Sequence, residues 1–265
     1  MKKYDNKRKG FKVEYRTRGL DIGRQYAEGS LSLQNFKKNI RETLVYDTHD
    51  DIDIDNCHFV LLTQYCEKNN IVCKEVNDYV NFRNKKLQEL MDTFKISRKV
   101  AKQFVIIILY GGKIDYFCQT QGFDLSVELP RWVVAMEEEM GKITKMVCSL
   151  NEQIYNGVKK LRKDEYKNKE ASCLSYVLQQ IEDDIIMNVV TKLHNMGFVV
   201  DTLCCDGVLI RKNNITEDTL EEVSSYCYDR TGYNVNFSIK PMERHYETME
   251  KQEYDFSDFD FKRLG

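Results

Sequence analysis

Apolar positions recur along this chain with two periods, and the switches between them mark its elements. From 31 to 45, Leu33, Phe36, Ile40 and Leu44 fall every three or four residues, which predicts a helix with one apolar face. The stretch HDDIDIDNCHFVLL (49–62) then alternates strictly, placing Asp51, Asp53 and Asp55 on one side of a strand. Three carboxylates pointing the same way repel one another, and nothing in strand stability asks for them. The run continues into NCHFVLL, which reads as a buried apolar strand.

Helical periodicity returns in NDYVNFRNKKLQELMDTF (77–94) and ISRKVAKQFVIIILY (96–110), with Gly111-Gly112 ending the second. By propensity alone the run VIIIL also suits a buried strand. Residues 131–162 read as helical, and 172–195 as a long amphipathic helix stopped by Gly197. FVVDTLCCDGVLIRKNN (198–214) reads as two strands turning at Asp206-Gly207. A helix (TEDTLEEVSSYCYDRTG) and a strand (VNFSIKPM) follow.

Composition narrows the class. The 265 residues, 42% hydrophobic and 31% charged, suffice for one large domain or two lobes sharing a cleft. Only Pro130 and Pro241 interrupt the helices. Nine cysteines without a C-x-x-C pair fit neither a disulfide framework nor a zinc site. No apolar run approaches the roughly 20 residues that span a bilayer, and MKKYDNKRKGFK lacks the apolar region of a signal peptide. The expectation is a soluble intracellular protein of the cytoplasm, the nucleus or a viral replication site, with no membrane partner.

A net charge of −2 does not announce a nucleic-acid binder, so local charge matters more. Residues 1–18 carry eight Lys and Arg against two acids, as a phosphate-binding arm or a solubilising terminus. Lys159, Lys160, Arg162, Lys163, Lys167 and Lys169 crowd a second basic segment. The end of the chain, Tyr254 to Phe261, alternates aromatic and acidic residues. It suits either a tail that docks on a partner or a free terminus.

Four pieces carry candidate chemistry, each with a plainer alternative. Asp53 and its neighbours form either a solvated run or a site for a hard divalent cation. Asp206 is ordinary turn chemistry, or a carboxylate presented from a rigid hairpin. Arg98 and Lys102 are one helical turn apart, as a solvated face or as a cradle for a triphosphate. Tyr110, just before Gly111-Gly112, can stack on a base. GRQYAEGSLSLQN (23–35) is by itself a weak signal.

Together these pieces resemble, in order and spacing, the motifs of family A DNA polymerases and the related single-subunit phage and mitochondrial RNA polymerases. Gly23-Arg24 with Leu33-Gln34-Asn35 resembles the segment that grips primer and template. Asp53 with His58 resembles motif A. Arg98, Lys102, Tyr110 and Gly111 match motif B, and Gly197 to Asp206 matches motif C. The match covers roughly residues 20–245. It departs at His58, where bacterial members carry a Glu that helps exclude ribonucleotides, at Ile106, and at Cys205-Asp206-Gly207, normally His-Asp-Glu. These departures look more like the diverged enzymes of viruses, virophages, plasmids and other mobile elements, several of which are linked to primase–helicase modules.

The resemblance implies an α+β right-hand polymerase fold: a palm from 20–66 and 171–245 with an antiparallel sheet and helices, and helical fingers from 67–170. Flanking these are a basic arm (1–19) and an acidic-aromatic tail (246–265). It leaves a reduced or absent thumb and no room for an exonuclease domain. It implies template-directed nucleotidyl transfer by a DNA polymerase or primase-polymerase of viral or mobile-element DNA. The alternatives are an RNA-synthesising primase or single-subunit RNA polymerase, and an inactive nucleic-acid-binding scaffold.

By the same resemblance two Mg²⁺ ions, or Mn²⁺ in their place, sit on Asp53, Asp206 and the carbonyl of Ile54. Arg98, Lys102, Tyr110 and His58 meet the nucleotide, a dNTP or NTP. Arg24, Gln34, Asn35, Gln179 and Gln180 meet the primer and DNA template, and the helix carrying Gln179, Gln180 and Glu182 takes the place of the one lining the primer terminus. A helicase or accessory replication protein would dock through the tail.

Overall fold

In this computed structural model the described residues are 4–5, 10–29, 32–112, 114–121, 123, 127–161 and 168–245. Two short hairpins come first, β1 (Tyr4–Asp5) with β2 (Gly10–Phe11) and β3 (Tyr15–Arg16) with β4 (Tyr26–Ala27). A 3₁₀ turn (Leu33–Asn35) leads to α1 (Lys38–Val45), β5 (His49–Ile54) and α2 (Cys57–Lys68). Helices follow one another: α3 (Lys74–Asn81), α4 (Arg83–Phe94), α5 (Arg98–Leu109), α6 (Ile114–Gln121), α7 (Arg131–Leu150) and α8 (Glu152–Leu161). Then come α9 (Lys169–Asn195), β6 (Val200–Leu203), β7 (Gly207–Arg211), α10 (Glu217–Thr231) and β8 (Phe237–Lys240).

The expected α+β class is what forms. One antiparallel sheet runs β6-β7-β5-β8, so the two segments richest in acidic and turn chemistry, β5 and β7, become its central strands. Among the described residues 67–170 is helical without a strand. The long α9 packs on α2, α7, α8 and α10 and on β6 and β7, which makes it the spine between sheet and helices. Leu174, Val177, Leu178, Ile185, Ile186, Val189 and Leu193 supply its buried stripe. Each such side chain contributes about 1.5–3 kcal/mol when fully buried. The Asn168 side chain caps its start by accepting from the Ala171 N–H, and Gly197 (φ +86°) ends its exit turn.

Several elements differ from the sequence reading. NCHFVLL is not a strand: Asn56 turns the chain out of the sheet at φ 52°, and the residues after it begin α2. That helix buries Cys57, Phe59, Leu61, Leu62, Thr63, Tyr65 and Cys66 over most of its circumference. It therefore lacks the polar stripe by which a helix is told from a buried strand. The helix expected over 31–45 begins only at Lys38, and Leu44 is 57% exposed, so its apolar face is not the buried one. The 77–94 stretch breaks at Phe82, and 131–162 breaks at Asn151. VIIIL is helical, with Ala101, Phe104, Val105, Ile108 and Leu109 buried at helical spacing and Ile106 exposed.

The basic arm is anchored at its end: β3 pairs with β4, and the Tyr15 hydroxyl accepts from the Leu203 N–H at 3.2 Å. Arg162, Lys163, Lys167 and the acidic-aromatic tail lie outside the described residues. All nine cysteines are free thiols. Among the described residues no helix is long and apolar enough to cross a membrane.

Candidate active site

The alternation in β5 sends Ile52 and Ile54 into the core and leaves Asp51 and Asp53 on the other face. Those two carboxylates are nevertheless only 7% and 4% exposed, so the solvated-run alternative does not hold for them. Strand β8 answers the repulsion. Ser238, opposite Asp53, donates to the exposed Asp55 Oδ1 at 2.6 Å. Lys240, opposite Asp51, reaches diagonally to form an ion pair with Asp53. Burial raises the Asp51 pKa, and Lys240, Arg41 and Lys38 pull it back. Each acid in the run thus has a hydrogen-bond donor or cation supplied by β8 or α1.

Asp206 comes from the β6–β7 turn, and the turn is not built as its Asp-Gly pair suggests. The left-handed residue is Cys205 (φ 60°), and the Cys204 N–H donates to the Gly207 carbonyl at 2.8 Å. Gly207 is needed for closeness instead. It lies opposite Asp53 in the ladder, and a Cβ there would stand 2.3 Å from the Ile52 carbonyl and 2.5 Å from Asp53 Oδ1. The Asp206 carbonyl accepts from the Ile54 N–H at 2.9 Å. Asp53 on β5 and Asp206 in the turn just before β7, 153 residues apart in the chain, are thereby held side by side and line one cavity of about 530 Å³. Burial and then Glu182 raise the Asp206 pKa, while Arg24 and His58 oppose the rise.

Helix α5 forms another wall. Lys102 and Tyr110 line the cavity, joined by Arg83 from α4. Burial and the neighbouring Arg83 and Arg98 lower the Lys102 pKa. Arg98 itself does not line the cavity; its guanidinium donates to Asn84 on α4 at 2.6 Å.

A buried network closes the third side. Glu182 of α9, with no exposed surface, accepts from Arg24 Nε at 3.0 Å and pairs with its Nη2 at 2.9 Å. His58 Nε2 lies 2.6 Å from the same carboxylate, and its Nδ1 meets the Tyr110 hydroxyl. An acceptor carboxylate on Nε2 places the ring proton there, leaving Nδ1 to accept from Tyr110. Burial raises the Tyr110 pKa, so its hydroxyl stays protonated. Burial alone would lower the Arg24 pKa, and Glu182 more than reverses it. Gly23 brings Arg24 in: at φ +82° its Cα faces Gln179, where a Cβ would lie 3.1 Å from the Gln179 Cβ.

Of the residues expected from the sequence, Asp53, Ile54, His58, Lys102, Tyr110, Arg24, Gln179 and Asp206 line this one cavity. Gln34 and Asn35 do not. Gln34 holds the loop before it, accepting from the Ala27 N–H and donating to the Gln25 carbonyl, and Asn35 donates to the Gly29 carbonyl at 2.6 Å. Gln180 is exposed outside it. Sequence reasoning left Lys240 and Arg83 out of the site, and it named Glu182 only as part of the helix beside the primer terminus, with no partner for it. Glu182 had a visible signal: it falls in the apolar stripe of α9, four residues after Leu178 and three before Ile185.

Two ligand sets for a metal present themselves. Ligand atoms of Cys57, His58 and Glu182 lie within 4.8 Å of one another. That set does not fit an ion, because Arg24 already occupies the Glu182 carboxylate, both His58 nitrogens are engaged, and burial pushes the Cys57 thiol well up. Asp53 on β5 and Asp206 at the mouth of β7 are hard oxygen donors, and Asp53 already holds a cation, the Lys240 ammonium. This pair fits a divalent ion.

No family model matches the chain. It is 35% identical over 224 residues to a Sputnik virophage protein named "Putative helicase V13", a match taking in 84% of this chain and 28% of that protein. The chain therefore spans little more than a quarter of that relative's length. Among solved structures it is similar to the POL domain of Pol1 from M. smegmatis in complex with DNA primer-template and dNTP. That likeness has a TM-score of 0.49 and 12% identity, covering 88% of this chain and 47% of the other.

Proposed function

We propose that the chain is a template-directed nucleotidyltransferase, a DNA polymerase or primase-polymerase of a viral or mobile element. The observation that carries this reading is one cavity lined by Asp53, Asp206, Lys102 and Tyr110, residues from three distant segments. That set is the one motifs A, B and C would contribute. Asp53 and Asp206 would hold divalent cations, Mg²⁺ or Mn²⁺, which activate the attacking 3′-hydroxyl and offset charge on the leaving pyrophosphate. Lys102 and Arg83 bind the triphosphate as point charge and fork. Lys102 gains strength there because it is partly desolvated and already crowded by cations, so an anion relieves it. Tyr110 offers its ring to a base while His58 fixes its hydroxyl. Arg24, locked on Glu182, and Gln179 shape the side where the primer terminus would lie.

The helicase in the relative's name belongs to a protein of which this chain matches 28%. This chain has no Gly-x-x-x-x-Gly-Lys-Ser/Thr phosphate loop, which favours a polymerising segment beside a separate motor. His58 in place of a gate carboxylate keeps RNA synthesis as a second reading. Primer extension on a defined template, with dNTPs and NTPs in parallel and Mg²⁺ or Mn²⁺, tests both. Extension is expected from the natural chain and none from Asp53→Ala or Asp206→Ala with the fold retained. Full extension by either variant would end the metal-site reading, and extension with NTPs alone would favour the second.

A further inference from the structure

Asp53 is not bare: the ammonium of Lys240 sits on the carboxylate that should take a metal. The ammonium occupies the carboxylate oxygen that faces it and repels a second cation there, so a metal ion on Asp53 competes with it. We propose that Lys240 is a resident counter-ion which a divalent cation displaces from Asp53 onto Asp51, so that the chain sets its own metal affinity. The proposal deepens, and rests on, the reading of Asp53 and Asp206 as the metal-holding pair.

The geometry gives Lys240 two stations. It is the last residue of β8, with its backbone registered against β5 at Asp51↔Lys240 and Ile52↔Ile239. Its ion pair with Asp53 is the diagonal contact, two residues along; its direct cross-strand neighbour is Asp51. Asp51 is buried, faces the same way as Asp53, and is otherwise met by Arg41 and Lys38 from α1. The Lys240 side chain is 45% exposed and lines the cavity, so its swing needs no repacking of the core. Glu182 offers the contrast: its cation, Arg24, bonds both carboxylate oxygens and is itself mostly buried.

Before metal arrives Lys240 neutralises Asp53 and keeps the carboxylate aimed at the cavity. When metal binds, Lys240 moves one station along the strand and neutralises Asp51, so no buried acid is left bare. The cost of that exchange is subtracted from metal affinity. Without Lys240 the metal meets no competitor; without Asp51 the displaced ammonium loses its landing site.

Mn²⁺ binding to the full chain, read as free Mn²⁺ by electron paramagnetic resonance at fixed pH without nucleotide, tests this. Lys240→Met, which keeps the aliphatic stem, is expected to tighten Mn²⁺ binding about tenfold or more. Asp51→Asn is expected to weaken it severalfold, and to do almost nothing in the Lys240→Met background, because the two act through one displaced charge. Circular-dichroism melts check that each variant is folded, and Lys240→Arg gives a second variant that keeps the charge and should leave binding weak. Unchanged or weaker binding in folded Lys240→Met, with Asp53→Asn losing it, would overturn the role of Lys240 alone. Unchanged binding in both Asp53→Asn and Asp206→Asn would overturn the metal-site reading itself.

Discussion

Glu182 and Asp53 are carboxylates with almost no exposed surface, the first buried behind Arg24 and His58 of the cavity wall and the second lining the cavity itself, and they are held in different ways. Glu182 is saturated: Arg24 bonds both oxygens and His58 adds a third partner, each fixed by α9, α2 or the Gly23 turn. Asp53 has one partner on a half-exposed stem at a strand end. A saturated buried pair cannot be loosened without stranding a charge, whereas a singly paired one can trade its cation. Glu182 is therefore framework, and the proposed exchange belongs to Asp53.

The contrast is easiest to break on the framework side. Glu182→Ala should lower unfolding free energy by about 3–5 kcal/mol, because it leaves the buried Arg24 uncompensated. Glu182→Gln should cost clearly less, since it keeps acceptor and shape. Asp53→Asn should stay within about 1 kcal/mol, because its partner can turn to solvent. Urea unfolding of the three variants checks the order; a loss at Asp53 as large as at Glu182 would erase the distinction.

On the exchange side, Lys102→Ala should raise the KM for nucleotide about tenfold or more while leaving primer-template affinity nearly unchanged. Steady-state extension beside filter binding separates the two. An unchanged KM would move the phosphate site away from α5.

The smallest effect is on pH. Burial and Glu182 raise the Asp206 pKa in the folded state, so the folded protein holds that proton more tightly than the unfolded one. The contribution of Asp206 to stability is therefore complete below the ordinary carboxylate value of about 4 and is lost as pH rises through the raised value. In metal-free buffer, unfolding free energy should fall across that window, and Asp206→Asn should flatten the fall. Saturating Mg²⁺ should oppose it, because metal binds the deprotonated acid.

Much of the site was legible because its chemistry is carried by short local patterns. Alternation gave β5 and the face of Asp53; spacing put Lys102 and Tyr110 on α5; the hairpin after Gly197 delivered Asp206. What misled was also local. α2 is buried nearly all round, so its period was hidden. Asp206-Gly207 was read as a turn pair, whereas Cys205 makes the turn and Gly207 makes room for Asp53.

The amino-acid order by itself determined the element types of β5 to β7, α5 and α9, and which side chains share a face, because 2.0 and 3.6 residue periods act over a few neighbours. Only the tertiary structure decided partners. Lys240 on Asp53, Glu182 between Arg24 and His58, and Arg98 on Asn84 instead of in the cavity are choices among charges far apart in the chain or on separate helices. Those choices depend on strand register and helix packing, and no local pattern encodes which distant charge arrives within 3 Å of another.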